Sequence, residues 1–197
     1  GYTFAGWVNG GNTYQAGQSV NPGGDNSYTA KWTANDYEYT IRYVSSTGKV
    51  LKEFKETHKF DEDVTLRGED IAGYVTPTKT IKWDTPNNNR VIDLTYDIIT
   101  YKIDYSLEIG NRYPANNKTT QSNPLTYTVE TPDIVLTNAV RRGYTFTGWY
   151  SEDTFTNKID VIELGSVGDK KLFAKFEANK YPLTVKNTND RVAIDIN

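Results

Sequence analysis

Gly143-Tyr144-Thr145-Phe146-Thr147-Gly148-Trp149 decides the reading of this chain, because the same phrase opens it as Gly1-Tyr2-Thr3-Phe4-Ala5-Gly6-Trp7. Each copy also closes alike. Ala30-Lys31-Trp32-Thr33-Ala34-Asn35-Asp36-Tyr37 matches Ala174-Lys175-Phe176-Glu177-Ala178-Asn179-Lys180-Tyr181. A fixed framework with a variable loop inside it is the signature of an internal repeat, and the repeat governs the rest of the reading. Within the phrase, large apolar residues alternate with small polar ones, the period of a strand with one covered face. The flanking glycines permit a turn on entry and a kink inside the strand. Asn9-Gly10-Gly11-Asn12 and the Asn21 to Asn26 stretch between opening and closing strands read as turns.

Outward from the repeat, the two-residue period recurs. Tyr39, Ile41 and Tyr43 alternate. Ser45-Ser46-Thr47-Gly48-Lys49 then supplies a hairpin turn before Val50-Leu51. Ile92, Leu94, Tyr96 and Ile98 form another such run, as do Tyr101, Ile103, Tyr105 and Leu107. Tyr127 and Val129, Leu183 and Val185, and Val192, Ile194 and Ile196 complete the set. Helical spacing is scarce. Residues 66–72 and 133–142 are the best stretches for it, and one short helix or helical turn per module is expected. The fold class is therefore mostly β, α+β at the level of a module.

Composition narrows the chemistry. Of 197 residues, 37% are hydrophobic and 13% aromatic, with 15 Tyr, 7 Phe and 4 Trp, which favours pleated sheets over helix bundles. No Cys is present, so disulfides, thiolate metal sites and cysteine nucleophiles are excluded. A single His, His58, excludes multi-histidine metal centres. No Met is present, which points to a processed chain or an excised segment. The net charge of −3 is spread along the chain, giving no polyelectrolyte surface for nucleic acid. No apolar run approaches the ~20 residues of a membrane helix, so no membrane insertion is expected.

His58 lies in the polar, alternating stretch Lys55-Glu56-Thr57-His58-Lys59 without a positioned nucleophile, and is read as a solvated strand face. Asp61-Glu62-Asp63 is the densest acidic run. It lacks the spacing of a calcium loop and is read as a surface loop, so no metal and no cofactor are expected. Tyr2, Phe4, Trp7, Trp32, Tyr144, Phe146, Trp149 and Phe176 recur at matched positions and are read as the structural core of the repeat. Trp83 has no counterpart in the repeat and is the candidate ligand-binding aromatic.

The phrase at 143–149, preceded by Tyr127-Thr128-Val129 and followed by Leu172-Phe173-Ala174-Lys175-Phe176, resembles the internalin-type B repeat, also called the Listeria–Bacteroides repeat. The resemblance covers 99–180 as a whole repeat and 1–36 as the second half of another. It implies small β-grasp (ubiquitin-like) modules in tandem. The 37–98 segment resembles the mucin-binding-protein repeat in Tyr39-Thr40-Ile41-Arg42-Tyr43-Val44, Gly48-Lys49-Val50-Leu51, Ile71-Ala72-Gly73-Tyr74 and Val91-Ile92-Asp93-Leu94-Thr95-Tyr96. It departs where Phe60-Asp61-Glu62-Asp63 stands in place of a usual glycine. Residues 181–197 read as the start of a further module, or as a strand completing the 1–36 half-repeat.

Together these resemblances imply a non-catalytic adhesin or stalk segment of a Gram-positive surface protein, extracellular at the cell wall or secreted. Its expected partners are neighbouring modules of the same polypeptide and host mucin, glycoprotein or carbohydrate. A carbohydrate-binding ancillary module of a secreted enzyme and a ligand-free mechanical spacer are the alternatives.

Overall fold

The structure, a computed structural model, describes residues 1–21, 24, 26–84, 86, 90–107 and 119–183. The chain divides into two units, Gly1–Thr100 and Tyr101–Asn197.

The first unit opens with β1 (Tyr2–Asn9), β2 (Asn12–Tyr14) and β3 (Thr29–Ala34), an antiparallel sheet in the order β2-β1-β3. It continues with β4 (Asp36–Ser45), β5 (Val50–Lys59), β6 (Asp63–Arg67), β7 (Tyr74–Val75), β8 (Thr78–Lys82) and β9 (Val91–Ile98). Four of these form a sheet in the order β5-β4-β9-β7, while β6 and β8 pair apart as a two-stranded ribbon. The β4–β5 hairpin closes where the sequence predicts. Gly48 takes a φ of 94° there, a left-handed conformation that costs a glycine little. Its N–H donates to the Ser45 carbonyl at 2.8 Å, and the Ser45 N–H donates to the Lys49 carbonyl at 2.9 Å.

Alternation along β4 and β9 puts Tyr39, Ile41, Tyr43, Ile92, Leu94 and Tyr96 on one buried face. β4 and β9 run parallel with Ile41 beside Ile92 and Tyr43 beside Leu94. Burial of side chains this large and apolar stabilises the module. Across the same two strands Arg42 makes a paired contact with Asp93, at 2.8 and 2.9 Å. The planar fork suits a carboxylate, and it holds the Asp93 carboxyl below the ordinary range.

The second unit contains β10 (Thr100–Ser106), β11 (Thr126–Thr128), β12 (Ile134–Val135), β13 (Tyr144–Tyr150), β14 (Lys158–Ile159), β15 (Val161–Ile162) and β16 (Lys170–Ala178). Its main sheet has the order β11-β10-β16-β13-β14, with β10 parallel to β16, and β12 pairs with β15. Its core gathers Ile103, Tyr127, Ile134, Ala139, Trp149, Ile162, Leu172, Ala174 and Phe176.

The mostly β expectation holds, and the helical one does not. Residues 66–72 run from the end of β6 into a turn, and 133–142 contain β12 followed by extended chain. The second stretch is held open by a side chain. Buried Asn123 accepts from the Thr137 N–H at 2.7 Å and donates to the Thr137 carbonyl at 3.1 Å, taking both backbone groups that a helix needs. β-Branched Ile134, Val135 and Val140 weaken any competing helix. The strands expected at 185 and 192–196, and any completion of the half-repeat by 184–197, lie outside the described residues. So do Pro22, Gly23 and Asp25 of the expected turn.

Candidate functional site

The repeat phrase builds the same local structure twice. β1 pairs with β3 through Phe4↔Trp32 and Trp7↔Ala30, and β13 pairs with β16 through Phe146↔Phe176 and Trp149↔Ala174. A bulge falls at the same place in both, between Phe4 and Gly6 and between Phe146 and Gly148. It inserts one residue, so Phe and Trp, three apart in sequence, share a face. The rings meet edge to face at 5.4 Å in Phe4–Trp7 and 5.4 Å in Phe4–Trp32. In the second copy, Phe146–Trp149 and Phe146–Phe176 lie at 5.4 and 5.5 Å.

One further feature is shared, and sequence reading missed it. Thr3 donates to the Asn35 side-chain oxygen at 2.6 Å, and Thr145 does the same to Asn179 at 2.6 Å. The N–H of each Asn donates to the carbonyl of the opening glycine, Gly1 or Gly143, at 2.9 Å. The Ala-Asn-x-Tyr ending common to both copies was the available signal.

What differs is cover. Trp149 is 2% exposed and Trp7 44%; Phe176 is 6% exposed and Trp32 57%. In the second copy, Tyr105 of β10 lies edge-on to Trp149 at 5.0 Å, and the Trp149 indole N–H donates to the Thr137 carbonyl at 2.8 Å. The core role expected for the repeat aromatics is thus corrected for the first copy. Tyr2, Trp7 and Trp32 are exposed and Phe4 half-buried, whereas Trp149 and Phe176 are buried and Tyr144 and Phe146 half-buried. The face of a three-stranded sheet is covered only if another segment lies on it.

Two clefts mark the open face. One of about 420 Å³ is lined by Trp7, Tyr14, Gln15, Gln18, Val20 and Tyr28, and one of about 440 Å³ by Tyr2 and Trp32. Amides in the first are engaged in shaping the loop: Gln15 donates to the Ala5 carbonyl at 3.0 Å, and Gln18 accepts from the Gln15 N–H at 2.8 Å. The face is therefore chiefly apolar and aromatic.

The sheet of the half-repeat is held to the 37–98 module through Tyr2. Its ring meets Phe60 edge-on at 5.1 Å, and its hydroxyl donates to Asp61 at 3.0 Å. Lys82 lies 2.8 Å from the other Asp61 oxygen. Lys82 and then Tyr2 hold the Asp61 carboxyl below its ordinary range. Asp61 also stands at a φ of 64°, a left-handed conformation in which Asp is tolerated better than most residues. The acidic run is therefore a structural turn, not a free carboxylate cluster. Among the described residues no group of three or more His, Cys, Asp or Glu is placed to hold a metal ion.

Trp83 and His58 form one structural unit. The Trp83 side chain is 0% exposed, sandwiched between Tyr39 at 4.2 Å and the His58 ring, which stacks on it at 4.4 Å with planes 4° apart. Trp83 has no face to offer a ligand, which overturns its assignment as a binding aromatic. His58 is a packed ring beside Glu56, with Nε2 at 3.0 Å from its carboxylate, and not a solvated strand residue. The period of β5 predicts which way His58 faces, but the Trp that covers it arrives from beyond β8.

Fold and site together define a tandem-repeat β protein, in which one sheet design occurs twice around a different module. Residues 101–175 match the family model of the Listeria-Bacteroides repeat domain. A protein of Evansella cellulosilytica named as a Gly-rich membrane protein is 24% identical over 164 residues, 79% of this chain and 18% of its own length. The chain thus spans under a fifth of that relative. Among solved structures, the Bacillus anthracis TIE protein aligns over 77% of this chain and 37% of its own, at 12% identity and a TM-score of 0.39.

Proposed function

We propose that this chain is a non-catalytic stalk segment of a bacterial cell-surface protein, spacing and presenting a surface that contacts host glycoprotein or glycan. The observation that carries the reading is the duplicated sheet, with matched register, bulge and closing Asn, in the sequence context of a Listeria-Bacteroides repeat. Small sheets with aromatic cores and no disulfides suit a modular array, in which each unit depends mainly on itself and its neighbours. On this reading the 37–98 module is a mucin-binding-protein-type repeat, the modules are β-grasp-like, and the protein works outside the cell. The name of the Evansella relative, a membrane protein, supports attachment to an envelope.

The test is a mucin-glycan array run beside small-angle scattering on the purified chain. Glycan binding supports a presented binding surface. An extended, rigid particle without glycan binding supports a pure spacer. A collapsed particle that binds nothing overturns both.

A further inference from the structure

We infer that the open face and the outer edge of the N-terminal sheet form a docking site for a first half-repeat: a polypeptide segment with the chemistry of residues 101–140. The inference goes beyond the proposed function, because it needs the repeat and not the cell surface.

The chain itself shows what such a sheet carries when complete. In the second copy, β16 is flanked on its outer side by β10, running parallel with Tyr105 beside Leu172. Tyr127, Ile134 and Ala139 join the same core and Leu136 packs against it, so β10 and β11 extend the sheet and residues 134–139 roof it. In the first copy β3 is the edge of its sheet among the described residues, and the face above it is open. An edge and an apolar face open together, on one side of one sheet, fit a single occupant that pairs with the first and covers the second.

The receiving surface is already formed. Ring spacings in the uncovered triad equal those in the covered one to within 0.1 Å, so Phe4, Trp7 and Trp32 already stand at the spacing of the covered copy. Tyr28 stands at the position of Leu172 and Ala30 at that of Ala174, where the incoming strand and its roof make contact. The occupant chemistry is an alternating aromatic and aliphatic strand like Tyr101-x-Ile103-x-Tyr105, followed by a roof like Ile134-x-Leu136-x-x-Ala139. A flat sugar platform fits less well, because the amides beside Trp7 are engaged in holding their own loop.

The experiment fuses a copy of residues 99–142 ahead of Gly1 of the full chain, which reproduces the Arg142–Gly143 junction as Arg142–Gly1. Burial of Trp7 and Trp32 is expected as a blue-shifted tryptophan emission and as slowed amide exchange in β3. The substitution Trp7→Ser is expected to lower the melting temperature of the fusion while leaving that of the unfused chain nearly unchanged. Unchanged emission and exchange in a folded fusion overturn the proposal. So does mucin-glycan binding at Trp7 that persists in the fusion, or a chain dimer broken by Trp7→Ser that the fusion leaves intact. Failure of glycan binding alone bears on the proposed function and leaves the docking site untouched.

Discussion

Trp7 and Trp149 hold the same place in the same phrase, with the same Phe beside each, and differ twentyfold in exposure. The phrase specifies which way the ring points; it does not supply the segment that covers it. That is why the strand and its facing residues were legible in the sequence while burial was not. Trp83 fails in the opposite sense, since its burial depends on Tyr39 and His58 from two other strands, with no local trace of either. Two phenols, Tyr96 buried and Tyr105 half-buried, carry a pH consequence at this scale. Removal from water pushes Tyr96 and Tyr105 up to about 12, and their hydroxyls donate to the carbonyls of Glu69 and Pro124, both at 2.9 Å. Both groups hold their protons longer folded than unfolded. Their contribution is thus fully present below about pH 10, the ordinary phenol value, and is lost as pH rises toward 12. Denaturant midpoints measured across that range are expected to fall for the parent chain and to fall less steeply for Tyr96→Phe and Tyr105→Phe.

At the scale of elements, the long strands were readable because period-two alternation in β4, β9 and β10 is dictated by a sheet with one covered face. Short strands such as β2, β14 and β15 were not, because two or three residues carry no period. The stretch 133–142 misled because its apolar residues fall three and four apart, and distant partners fix it instead: Asn123 at Thr137, β15 at β12 and Thr120 at Val140. The bulge was half legible, as a glycine in mid-strand, and the structure shows what the glycine does. Gly6 has a φ of 126°, and a Cβ there would stand 2.7 Å from the Tyr14 carbonyl oxygen. Gly148 has a φ of 155°, and its nearest obstacle is the movable end of Lys158, also at 2.7 Å. Gly6→Ala is therefore expected to cost about 1–3 kcal/mol, through strain and a backbone clash. Gly148→Ala should cost less, because Lys158 can turn aside. Amide exchange in β1–β3 for the first variant and in β13–β16 for the second, read beside thermal unfolding, checks the order.

For the whole molecule, the repeat was the part of the architecture that sequence carried best, and it bounded function to a class without naming a ligand. The parallel neighbours β4 and β9, and β10 and β16, have a further consequence when the chain is held by its two ends. Tension enters such a module at the start of one strand and leaves at the finish of the other, so the two are dragged lengthwise past each other. Every rung between Thr40↔Val91 and Ser45↔Tyr96 then carries load at once. The N-terminal sheet is wired differently: Tyr2 sits opposite Ala34, so its antiparallel strands are pulled apart from one end, rung by rung. Single-molecule stretching is expected to show a weak first release from residues 2–34, then stronger ruptures from the modules behind it. A 37–98 module that yields before the N-terminal sheet would contradict this. Under traction, then, the chain is a graded fastener: a soft leading fold that gives early, backed by modules that resist until their rungs fail together.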